Sequence, residues 1–70
     1  MNINKVIKYH EKKLHFQNQK LVDLETFYKS KQYQKLGRNE KATLEETMNK
    51  CRSEIQFLKI TISHLKVVKE

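Results

Sequence analysis

The chain has 70 residues, 15 lysines and arginines against 8 acidic residues, and a formal net charge of +7. That length allows one domain and too small a core for generous stability without a staple. The single cysteine excludes an internal disulfide, and with no Cys/His cluster the staples left are regular helix packing and self-association. Proline is absent and Gly37 is the only glycine. Strand-rich folds need turn residues far more often than that, so the composition predicts an all-α protein.

The start of the chain, Met1-Asn2-Ile3-Asn4-Lys5, has no apolar signal core, and no run of about 18 apolar residues suggests a membrane span. A cytoplasmic protein is expected, and a lone cysteine suits a reducing compartment. Lysine outnumbers arginine thirteen to two. That balance weakens the case for base recognition, where arginine is the better reader.

The first predicted element is a helix over residues 4 to about 36. Its seam is Ile3, Ile7, His10, Leu14, Gln17, Leu21, Leu24 and Tyr28, spaced 4, 3, 4 and so on. Asn2 or Asn4 is placed to cap it, and Lys29, Lys31 and Lys35 suit its C-terminal dipole. Two polar residues, His10 and Gln17, interrupt the seam. Polar core positions commonly fix register and partner choice. Metal binding would need a recognised ligand pattern, and none is present.

A turn over residues 37–39 follows. Gly37 is expected to end the first helix in the left-handed conformation. Asn39 is the expected cap of the second helix, with the capping box Thr43-Leu44-Glu45-Glu46 as a competing start. So short a turn makes the helices antiparallel neighbours. Folding about Arg38 pairs Tyr28 with Met48, Leu24 with Cys51, Gln17 with Leu58 and Leu14 with Ile62. A restart at Thr43 shifts the register by about half a heptad and the seams still match.

The second helix is predicted over residues 40 to about 68. Its seam is Leu44, Met48, Cys51, Ile55, Leu58, Ile62 and Leu65, a heptad rhythm without a miss. The stretch Ile60-Thr61-Ile62-Ser63-His64 resembles a strand in composition, but the heptad continues through it. Cys51 reads as a small buried hydrophobe, with no base or access for a nucleophile. No paired carboxylates, triad or phosphate loop appears, and a two-helix rod encloses no pocket, so an enzyme is not expected. No cofactor or metal is implied.

The expected fold is thus one domain over residues 1–70, an antiparallel two-helix hairpin that pairs into a four-helix bundle. A second stripe on the second helix, Phe57, Ile60, His64 and Val67 with Val68 beside it, has no partner inside one chain. The first helix adds a weaker stripe with Tyr9, Phe16 and Phe27 among lysines. These residues are the predicted protein interface, covered by a second copy or by a different, acidic protein. The expected function is a small adaptor, inhibitor or regulator. The competing expectation is nucleic-acid binding at the hairpin tip, where Lys29, Lys31, Lys35, Arg38 and Lys41 lie near Tyr28 and Tyr33. A basic rod can also lie on anionic lipid, but the long regular seam argues against a membrane role.

Overall fold

A computed structural model describes residues 2–69. Helix α1 spans Ile3–Tyr28, a single turn of helix α2 spans Lys31–Gln34, and helix α3 spans Arg38–Lys69. No strand occurs among the described residues, and α3 runs unbroken through the strand-like stretch around Ile62. The heptad on either side decides the conformation there, over β propensity.

Asn2 caps α1, its side-chain oxygen accepting from the Asn4 N–H at 2.8 Å. The first helix does not reach residue 36 as its pattern suggests. It stops at Tyr28, and Ser30 takes an extended conformation with φ −82° and ψ 163°. The Ser30 hydroxyl donates to the Phe27 carbonyl at 2.6 Å and accepts from the Tyr33 N–H at 3.3 Å. A serine that bonds the neighbouring main chain competes with the helix and favours a cap. The break turns Tyr33 inward, where it is buried against Tyr28 with ring centroids 4.4 Å apart.

Gly37 corrects a second expectation. No described residue, glycine included, has a positive φ. Gly37 instead opens α3, its carbonyl accepting the Lys41 N–H at 3.0 Å. Neither expected cap of the second helix is used, since α3 already includes Arg38 and Asn39. Thr43 donates its hydroxyl back to the Asn39 carbonyl at 3.0 Å, and Thr47 does the same to Thr43 at 2.9 Å. Glu40 in the first turn supplies the negative charge that the helix start favours.

α1 and α3 lie antiparallel in a rod of 50 × 16 × 15 Å. The core is Ile7 from α1, Tyr33 from α2, and Met48, Cys51, Ile55, Leu58 and Ile62 from α3. α3 therefore contributes most of the buried seam, while Leu14, Leu21 and Leu24 of α1 stay half-buried. The register differs from a fold about Arg38. The Cys51 thiol reaches the Gln17 carbonyl at 3.2 Å, a heptad away from the expected Leu24. The cause is the connection: nine residues, 29–37, separate α1 from α3 and include a turn of helix. A longer link moves the fold-back point toward the N-terminus, and the heptads rematch.

Candidate protein-binding surface

The register decides how the second stripes sit relative to each other. On one flank of the hairpin, Gln17 and Lys20 of α1 face Thr47, Lys50, Cys51 and Glu54 of α3 across a groove. Toward the tip the same flank continues, through Thr47, into an apolar groove walled by Leu24, Phe27, Leu36, Thr43 and Leu44. Thr43 and Thr47 spend their hydroxyl protons on their own helix, so they offer methyl groups to this groove.

Helix spacing extends both walls away from the tip. Stepping back from Lys20 by 4, 3 and 4 residues gives Phe16, Lys13 and Tyr9. Stepping forward from Glu54 gives Phe57, Thr61 and Val68. Tyr9 and Phe16 of the first stripe and Phe57 and Val68 of the second thus lean to one flank, and Phe16 and Phe57 stand within about one helical turn of each other along the rod. Their exposures are high: Tyr9 57%, Phe16 64%, Phe57 63% and Val68 74%. Ile60 at 50% and Val67 at 74% lie further round on the outer face of α3, with exposed His64 between them. Phe27 is half-buried in the groove wall. The Lys13 ammonium sits 5.0 Å from the Tyr9 ring centroid, which keeps that ring open at its edge only in part.

The opposite flank is richer in charge. Glu25, Tyr28 and Lys29 face Glu45, Met48, Asn49 and Arg52 there. Near the open end Glu11 pairs with Lys66 at 3.8 Å, both side chains well solvated. Arg52 is held to Asn49 at 3.2 Å. Val22, 53% exposed, belongs to neither second stripe.

At the tip, Lys29, Lys31, Lys35 and Arg38 are exposed. Of the aromatic rings beside them, Tyr28 stays 38% exposed and Tyr33 does not. Tyr33 is buried, Tyr28 packs on it, and the Lys41 ammonium lies 5.1 Å from the Tyr33 ring centroid. Burial pushes the Tyr33 phenol above its ordinary value, and the neighbouring Tyr28 and the Glu45 charge push it the same way.

The seam polar groups are spoken for. His10 sits 2.8 Å from the Val6 carbonyl through Nδ1 and edge-on to Tyr9. Gln17 receives the Cys51 thiol on its main-chain oxygen and, at 3.3 Å, on its side-chain oxygen. Among the described residues no group of three or more His, Cys, Asp or Glu is arranged to hold a metal, and no helix is long and apolar enough to cross a membrane.

Of the groove residues, Leu24 and Leu44 read as seam, Leu36 as the end of the first helix and Thr43 as part of a capping box, and Thr47 was not marked. Only the bend at Ser30, which swings Leu36 onto the flank, makes them a wall. Compared with known proteins, the chain matches no family model, no curated protein and no solved structure.

Proposed function

We propose that this chain is a small, non-enzymatic protein-binding module, an adaptor or inhibitor that works by packing a helical flank against another polypeptide. One observation supports it most: Phe16 of α1 and Phe57 of α3 stand more than half exposed, at 64% and 63%, and helix spacing leans both to one flank. Rings exposed on this scale are costly in water and are the usual anchors of interfaces. Pairing of hairpins into a four-helix bundle belongs to the same reading. Lys5, Lys8, Lys12 and Lys13, all exposed near the open end, steer an acidic partner.

The test is recovery of binding proteins from the native source after nuclease treatment, with the wild-type chain and a Phe16→Glu/Phe57→Glu variant. A defined protein retained by the wild type and lost by the variant supports the reading. Recovery that disappears with nuclease overturns it in favour of the tip as a phosphate-binding surface. That alternative rests on Lys29, Lys31, Lys35 and Arg38, and it requires affinity that falls steeply with salt.

A further inference from the structure

We infer that a second copy of this chain occupies the aromatic flank, with two hairpins closing a four-helix bundle about a twofold axis, a geometry that rests on the protein-binding reading above. The first argument is area. The chain exposes 5819 Å². A compact monomer of its mass, 8.5 kDa, exposes about 4,700 Å². The excess is about 1,100 Å² per chain, the surface that a 50 × 16 × 15 Å rod carries beyond a compact fold, and it exceeds the roughly 800 Å² per partner that a standard interface covers.

The second argument is charge. The chain carries +7 overall, so most of its surface repels a second copy. The aromatic flank is an exception. Lining its two grooves, Lys20 and Lys50 are matched by Glu40 and Glu54. Two positive and two negative groups let identical flanks meet without net repulsion, and Lys20 and Glu54, which face one groove, supply opposite charges to the copy across the axis. The opposite flank offers no such apolar ridge. Phe16 of one copy and Phe57 of the other then bury each other's edges, and the methyl groups of Thr43 and Thr47 let helices approach at the tip groove.

The test is sedimentation equilibrium at about 100 µM chain, with circular dichroism to confirm helicity. The wild type and an Arg52→Glu control on the opposite flank are expected at twice the chain mass of 8.5 kDa. Phe16→Glu and Phe57→Glu, both on exposed positions, are expected to keep their helicity and fall to the single-chain mass. A wild type at the single-chain mass overturns the inference. If that monomer still retains a protein partner lost by the same two substitutions, the flank binds a different protein and the proposed function stands without the dimer. A dimer that survives both phenylalanine substitutions, or one broken by Arg52→Glu alone, also overturns it.

Discussion

The Cys51 thiol donates to the main-chain oxygen of Gln17 at 3.2 Å, across 34 residues of sequence. The contact ties the middle of α3 to the middle of α1 and identifies the register directly. It also explains a polar residue in the α1 seam: the Gln17 side-chain oxygen is a second acceptor, 3.3 Å from the same sulfur.

Cys51→Ala is expected to lower stability by about 1 kcal/mol, from a lost weak hydrogen bond and a small void. Because the thiol is buried, its alkylation in the native protein should run at the rate of opening. Urea midpoints check the first expectation. Thiol-labelling kinetics with and without urea check the second.

Gly37→Ala is expected to stabilise the chain by no more than a few tenths of a kcal/mol, since alanine restricts the unfolded state but fits the N-cap position that Gly37 holds before Arg38 less well than glycine. A methyl group there meets only Glu40 Oε1, at 3.6 Å, an ordinary contact. A left-handed glycine would give the opposite sign. The urea midpoint of the single variant decides between them.

Ser30→Ala removes the hydroxyl that caps α2 and is expected to cost about 1 kcal/mol. The Tyr33 ring should loosen with it. Near-ultraviolet circular dichroism of the tyrosines reads this directly, with far-ultraviolet helicity of α1 and α3 little changed.

Tyr33 gives the chain an alkaline limit. Its phenol titrates above the ordinary value of 10.0 when folded. The unfolded chain therefore loses this proton first as pH rises. The stabilising contribution is complete below pH about 10 and is lost as pH climbs through the folded value. Tyr33→Phe should remove that slope while keeping most of the packing. Urea unfolding of both proteins between neutral pH and strongly alkaline pH tests the difference in slope.

The heptads made much of the architecture readable. The seam from Met48 to Ile62 supplies most of the buried core. The connection was not readable, because a serine inside a lysine-rich helical pattern is a weak signal. The break at Ser30 goes together with the burial of Tyr33, a contact formed only once the chain has folded back. The register was hidden for a different reason. Two seams with the same spacing match at every half heptad, so only the link length chooses. The exposed aromatics were visible one helix at a time. That Tyr9 and Phe16 share a flank with Phe57 depends on register and helix phase together, which no single-helix pattern contains.

The uneven division of the core has a consequence for how the chain is made. α1 buries only Ile7 to the level reached by five residues of α3. During synthesis α1 emerges first, with its leucines and aromatics uncovered and nothing yet to close upon. The contacts around Tyr28, Tyr33 and Lys41 form across the shortest loops and cost the least closure entropy. Contacts farther along the rod join residues ever more distant in sequence, so closure is expected to spread from the tip outward. The hairpin is a zipper whose starting clasp is the bend at Ser30.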